Sequence, residues 1–417
     1  MHTTIADIEI LIIFLLFVIA LVTWIGNQFP VPYTVGLVAA GLVLTFVPTF
    51  DVELPELISE LILALFLPPI VFEAAYQLNT KQLRENGWII AMLTTAGVVL
   101  STGIVAGVVA FFTPTISLII AAIFGALISA IDPVAVIALF KESHVSERLE
   151  TLVEGESLLN DGTAIVIFGI VLAVAQTGGE FSLAEGIIDF IRVSFGGLLI
   201  GGLIGYAVAK VLYYIDDMLV EMTLTTCLAL GSFLIAEQFH VSGVLAVVTA
   251  GLMHGHMGFS NMSERTQQTV FIVWEYLAYV ANAFIFLLIG LTSDINELLA
   301  HLPLITLAIV AVTISRAMTV YLLIPIHTRM LPWEKPIPGA WQHILFWGGQ
   351  RGAVSLALVL SLPHTIPERE SIILMTFGVV LFTSMVQATS MPWLVNKLGA
   401  AVLDIEEEEF IEPSEPI

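Results

Sequence analysis

The chain has 417 residues, of which 58% are apolar and 12% charged, and its mean hydropathy is +0.98. Soluble domains run nearer about 45–50% apolar and about 25% charged, so this composition describes a chain built for a bilayer. The net charge of −23 argues against a nucleic-acid partner, and a single cysteine, Cys227, leaves no internal disulfide or cysteine metal cluster.

The first apolar run has no basic segment before it, which predicts a retained helix rather than a cleaved signal peptide. A spanning helix needs about 20 mostly apolar residues. In chain order, spans are expected near 7–26, 32–48, 57–76, 88–111, 116–140, 152–176, 185–214, 219–236, 241–254, 269–291, 302–324, 341–362 and 370–397, thirteen in all. Proline and glycine punctuate their ends, as in Phe29-Pro30-Val31-Pro32. A short acidic tail, 398–417, follows and carries Glu406, Glu407, Glu408 and Glu409. It reads as a solvated end, with no large regulatory domain.

The positive-inside rule tests that count. With the N-terminus outside, the inner loops and inner span ends carry Lys81, Arg84, Lys141, Arg148, Lys210, Arg265, Arg329, Lys335 and Lys397. The outer loops carry Arg369, while Arg192, Arg316 and Arg351 lie within spans. A miscount of one span would scramble this alternation. The N-terminus is therefore expected outside and the C-terminus in the cytoplasm.

Depth comes next. At about 1.5 Å per residue, Asp161 lies roughly 14 Å from the inner end of its span, Asp132 and Arg316 about 12 Å, and Arg351 about 15 Å. The hydrocarbon core is about 30 Å thick. Four ionisable residues from distant parts of the sequence thus converge near the midplane. Charges there are costly, and usually mark a substrate path rather than isolated salt bridges.

Two spans are expected to break at that level. Asp132-Pro133 puts a proline inside the fifth span, and Gly348-Gly349-Gln350-Arg351-Gly352 puts three glycines inside the twelfth. Unwound backbone at such depth is tolerated only where it is buried in protein or lines a cavity. Breaks seven spans apart occupy equivalent places in two six-helix units joined by one helix. The expected fold is all-α and polytopic, with inverted repeats at about 1–176 and 219–397, a linking helix at about 185–214, and crossed discontinuous helices 5 and 12 within a membrane domain 1–397.

The residue types suggest the chemistry. Helical spacing puts Ser157 and Asp161 on one face, with Glu156 and Asn160 on the neighbouring stripe. Asp161, Asp132, the Ser157 hydroxyl and the Ile131 carbonyl are hard oxygen ligands suited to a small cation. Proton and cation would compete for the same oxygens. If the empty, charged site cannot cross, that competition gives obligatory exchange without nucleotide hydrolysis. Asp161 is the expected exchanging carboxylate. Glu156 and Arg316 are expected to form a structural ion pair, and Arg351 to offset the helix ends at the second break. Asn160, where another acid could have stood, favours electroneutral turnover.

Four motifs also carry a resemblance: Phe66-Leu67-Pro68-Pro69-Ile70-Val71-Phe72-Glu73, Ile131-Asp132-Pro133-Val134-Ala135-Val136, Gly155-Glu156-Ser157-Leu158-Leu159-Asn160-Asp161-Gly162 and Gly348-Gly349-Gln350-Arg351-Gly352-Ala353-Val354-Ser355. In these, over essentially the whole membrane region, the chain resembles the sodium/proton antiporters of the cation:proton antiporter-1 group, which includes the NhaP type. The resemblance implies thirteen helices, a homodimer, a core domain moving against a dimerisation domain, and electroneutral Na+/H+ exchange. It puts the family's Asn-Asp pair on Asn160 and Asp161, its second acid on Asp132, its serine ligand on Ser157, its ion pair on Glu156 and Arg316, and its second-crossover arginine on Arg351. Many prokaryotic members have threonine before the Asp-Pro. Ile131 lacks that hydroxyl, which leaves the choice among Na+, Li+ and K+ open.

The transported ions, Na+ or Li+ and H+, are the expected ligands, with no further cofactor and no enzymatic activity. A prokaryotic plasma membrane is the expected location. K+/H+ exchange and an uncoupled cation channel are the alternatives, though no filter repeat supports a channel. An intramembrane aspartyl protease would want Gly-x-Gly-Asp, whereas Leu159-Asn160 precedes Asp161. Glu73, near the inner end of span three, could line a cytoplasmic funnel. His254 and His256, at the inner end of span nine, read as interfacial histidines or as a pH sensor. The nine histidines show no zinc spacing.

Overall fold

The computed structural model describes residues 5–26, 33–45, 62–143, 145–178, 182–258, 262–292 and 295–399. The start of the expected third span and nearly all of the acidic tail lie outside these residues. The chain opens with α1 (Ile5–Gly26), α2 (Tyr33–Leu44) and α3 (Leu67–Gln77), the last preceded by a π turn at Ile62–Phe66. Next come α4 (Thr80–Glu85), α5 (Gly87–Thr94), α6 (Ala96–Phe112), α7 (Leu118–Leu127), α8 (Val134–Ser143), α9 (Glu147–Thr177) and α10 (Leu183–Leu212). The second half holds α11 (Met218–Gln238), α12 (Gly243–Met253), α13 (Glu264–Thr292), α14 (Ile295–Ala300), α15 (Leu302–Met318) and α16 (Ile324–Met330). It ends with α17 (Gly339–Trp347), α18 (Ala353–Leu360), α19 (Arg369–Phe382) and α20 (Thr389–Leu398).

Seven of the described helices, taking α5 with α6, α15 with α16 and α19 with α20 as continuous, are long and apolar enough to cross a bilayer. Helix starts are set by ordinary caps. Ser117 accepts from the Ile120 N–H, Asp217 from Leu219 and Val220, and Ser242 from Leu245. Gly178 closes α9 in the left-handed conformation. Three further π turns, His254–Gly258, Thr319–Leu323 and Thr383–Ala388, had no signal in the apolar pattern. Neither did the six-residue helices α4 and α14.

The main core is apolar and runs along α2, α3, α6, α7, α13, α15, α18 and α19. A smaller cluster joins Ile89, Leu93, Val136, Phe140, Trp341 and Ile344 near the predicted inner face. In lipid, apolar burial gives little drive for helices to pair, so close backbone contact must do it. Gly197, Gly201 and Gly205 repeat every fourth residue along one stripe of α10, against α12. A Cβ at Gly201 would lie 2.7 Å from the Ala246 Cα, so only glycine permits this approach.

Gly201→Val should therefore push α10 off α12 and cost about 1–3 kcal/mol as overpacking. A thermal melt in detergent should show a lower midpoint than wild type. Gly107→Val, where an added Cβ meets open space, serves as the control and should melt close to wild type.

Candidate functional site

Both expected breaks are present. The first runs from Ile128 to Pro133 between α7 and α8, and the second from Gly348 to Gly352 between α17 and α18. The helix stops at Leu127, six residues before the proline, so Pro133 is not the sole cause of the first break. Tertiary partners take the carbonyls freed there. The Ser355 hydroxyl donates to the Leu127 carbonyl at 2.8 Å. Arg351 Nη1 donates to the carbonyls of Ser129 at 2.8 Å and Ala130 at 3.0 Å. The Arg351 guanidinium thus lies on the C-terminal end of α7, where the helix dipole favours a cation.

Asp132 joins the breaks from the other side. Its Oδ1 accepts from the Val134 N–H and its Oδ2 from the Ala353 N–H, both at 3.3 Å. One carboxylate therefore caps the N-termini of α8 and α18 together. The Asp132 N–H donates to the Gln350 carbonyl at 2.9 Å, a direct backbone link between the breaks. A Cβ at Gly352 would fall on the Asp132 carboxylate, so the second break needs glycine at that point.

Long α9 brings the remaining groups. Ser157 Oγ donates to the Ile131 carbonyl at 2.8 Å. These two candidate ligands are bonded to each other, and a cation taking both would share lone pairs with that bond. Asp161 is buried, with Asp132 and Arg351 as charged neighbours, and its Oδ1 has no hydrogen-bond partner among the described residues. Asn160 is also buried, with Oδ1 unpartnered. Glu156 and Arg316 form a buried two-pronged ion pair, and the same guanidinium donates from Nε and Nη2 to the Leu345 carbonyl at 3.1 and 2.6 Å. Removing either partner of such a pair strands a charge.

Asp161, Asp132, Ser157, Ile131, Asn160, Glu156, Arg316 and Arg351 are thus drawn into one region. Glu73 stands apart on α3, half-buried and hydrogen-bonded by Gln77. His256 Nδ1 is 3.1 Å from the Thr80 hydroxyl. His254 is fully buried over Phe72, with ring centres 5.9 Å apart, so it is a core histidine rather than an interfacial one. No cluster of three or more histidine, cysteine or acidic residues suited to a metal ion occurs among the described residues. Residue types did not reveal Thr383, whose hydroxyl accepts from the Arg351 N–H at 3.2 Å, or the Gln350 and Leu345 carbonyls. Ser355 lay inside a recognised motif with no role attached to it.

Comparison with known proteins agrees with this geometry. Residues 11–397 match the family described as sodium/hydrogen exchanger, transmembrane. The Na+/H+ antiporter ApNhaP of Aphanothece halophytica is 41% identical over 370 residues, covering 88% of this chain and 70% of that protein. The Na+/H+ antiporter NhaP of Pseudomonas aeruginosa is 36% identical over 407 residues, covering 91% and 94%. The fold is similar to that of the sodium proton antiporter MjNhaP1 of Methanocaldococcus jannaschii, with a TM-score of 0.77 at 20% identity over 95% of this chain and 98% of that one. Two broken helices bonded to each other at their breaks, and a family match across nearly the whole chain, make this integral membrane protein a member of the transmembrane sodium/hydrogen exchanger family.

Proposed function

We propose that the chain is a secondary active transporter that exchanges Na+ or Li+ for H+ by competition at Asp161. The observation that carries this reading is the Asp161 carboxylate, buried in a long apolar helix beside the crossed breaks with an oxygen left unpartnered. Structural carboxylates at such depth use their lone pairs, as Asp132 does. An unused one is a place for a ligand.

Charge balance supports one-for-one exchange. Glu156 and Arg316 cancel each other. Asp161 and Asp132 set two negative charges against the single positive charge of Arg351. One monovalent cation neutralises the remainder, and so does one proton. An uncompensated charge at the bilayer centre costs about 2.5–3.5 kcal/mol on insertion scales and more in simulation. The loaded forms therefore cross and the empty form does not, which couples the two ions and moves no net charge per cycle.

In this reading Asp161 exchanges, while Asp132, Ser157, the Ile131 carbonyl and Asn160 shape the cation site. Glu156, Arg316 and Arg351 keep the half-helices in place, and Glu73 lines the cytoplasmic approach. Thirteen helices form the membrane domain 1–397, as inverted repeats at about 1–176 and 219–397 around a linking helix at 185–214. The repeats alternate access by moving a core against a dimerisation surface in a homodimer. The N-terminus faces outward and the C-terminus the cytoplasm of a prokaryotic cell.

Cation-driven pH change in proteoliposomes tests the mechanism. Exchange should persist when an ionophore clamps the voltage and should vanish in Asp161→Asn. Cation flux without proton movement would make the protein a channel instead. Ile131→Thr adds a ligand hydroxyl and should change the ranking of Na+, Li+ and K+ in the same assay. An unchanged ranking would remove Ile131 from the selectivity site. Arg316→Leu should cost about 3–5 kcal/mol by stranding Glu156, with part of the loss recovered in the Glu156→Leu/Arg316→Leu double variant. Thermal melts of the set would measure this, and additive losses would show the pair to be uncoupled.

A further inference from the structure

A small chamber lies beside the crossed breaks, towards α5, α6 and α15. Its walls include Ser101, Ser129, Asn160, Thr319 and Arg351. Two of these lining residues carry a polar atom with no hydrogen-bond partner among the described residues, Asn160 Oδ1 and Arg351 Nε. Their residues are only 3% and 2% exposed, so bulk solvent does not satisfy them. Native interiors leave few such groups unpaired.

The wall chemistry narrows what could satisfy both. Ser315 Oγ donates to the Val312 carbonyl at 2.8 Å, which leaves Ser101 Oγ as the donor in the 3.1 Å Ser101–Ser315 bond. Thr319 Oγ1 donates to the Ser315 carbonyl at 2.9 Å, and Ser129 Oγ to the Ala126 carbonyl at 2.7 Å. Each hydroxyl proton is committed elsewhere, so these three oxygens offer only lone pairs. The Arg351 Nε–H is a buried donor without a partner among the described residues, whereas the Arg316 guanidinium is taken up by Glu156 and the Leu345 carbonyl. A wall rich in acceptors disfavours an anion. The Arg351 Nε–H is a donor from which a cation cannot accept, so it disfavours a second cation. A small neutral molecule that both donates and accepts fits, and the space holds about one water molecule.

We infer that one resident water occupies this chamber, accepting from Arg351 Nε and donating to Asn160 Oδ1. Arg351 is then gripped twice. Nη1 bonds the first break, and Nε reaches through the water to α9 next to Asp161. The water makes the chamber a positioning element, fixing the guanidinium relative to the exchanging carboxylate. Its occupancy stands independently of the antiport reading. Its effect on exchange rests on that reading.

Radiolytic hydroxyl-radical labelling of the full chain in lipid nanodiscs, with a pulse of 18O water, tests the site. Leu93 and Val98 line the chamber and are each 1% exposed. Both should label, with 18O entering slowly, as next to a trapped water. Gly97→Val closes the chamber, because an added Cβ already lies 2.9 Å from Thr319 Cγ2, and should reduce that labelling to background. Leu93→Phe, read at Val98, serves if Gly97→Val is not recovered folded. Unlabelled Leu93 and Val98 beside a labelled, exposed Trp333 would mean a dry chamber and overturn the inference. Labelling that persists in the filled variants would overturn it too. In proteoliposomes the filled variant should lose turnover with little change in cation KM. Full turnover with lost labelling would remove the positioning role and leave the water. Wild-type protein without any exchange would overturn the antiport reading, while the labelling would still decide the water.

Discussion

A bilayer has no water for a freed carbonyl or N–H, so a helix broken at depth must find every partner inside the protein. Here the two breaks supply each other. Arg351, from the second, takes the Ser129 and Ala130 carbonyls of the first. Asp132, from the first, takes the N–H groups that open α8 and α18. Gln350 and Asp132 add a backbone bond between them. Opposite charges thus sit on opposite helix ends, each where the dipole favours it. The rest of the site depends on this exchange, because it sets the level and direction at which α9 presents its polar face.

Once the breaks are satisfied, the carboxylates differ in kind. Glu156 is spent on Arg316, and Asp132 has both oxygens on helix N-termini. Asp161 keeps one oxygen free among the described residues. Sequence logic treats Asp132 and Asp161 as a similar pair of cation ligands. In the structure a cation at Asp132 would compete with two helix ends, whereas Asp161 takes a backbone bond from Ile131 and has its Oδ1 open among the described residues. The same reasoning applies to Ser157 and the Ile131 carbonyl, which already bond each other at 2.8 Å.

Much of this was legible because lipid imposes strict rules. Asp161 and Arg351 stood out since charges are rare within apolar spans. Pro133 and the glycines around Arg351 marked the breaks because each weakens helical bonding. The partners were less legible. Thr383 and the Leu345 carbonyl lie 32 and 29 residues from the arginines they contact, and nothing in their own residue types points there. His254 looked interfacial from its place near a span end, yet the π turn and Phe72 bury it. The Gly197, Gly201 and Gly205 stripe is plain once α12 lies against it, but an apolar count does not see it.

The sequence by itself determined a helical membrane protein, the placing of its ionisable residues inside apolar spans, and the two break points. Those follow from hydropathy, helical rise and the cost of charge in hydrocarbon, all of which are local quantities. Tertiary structure alone decided which oxygens are occupied and which remain free. Satisfaction of a polar group depends on what reaches it across the fold, and Arg351 lies more than two hundred residues from the carbonyls it holds.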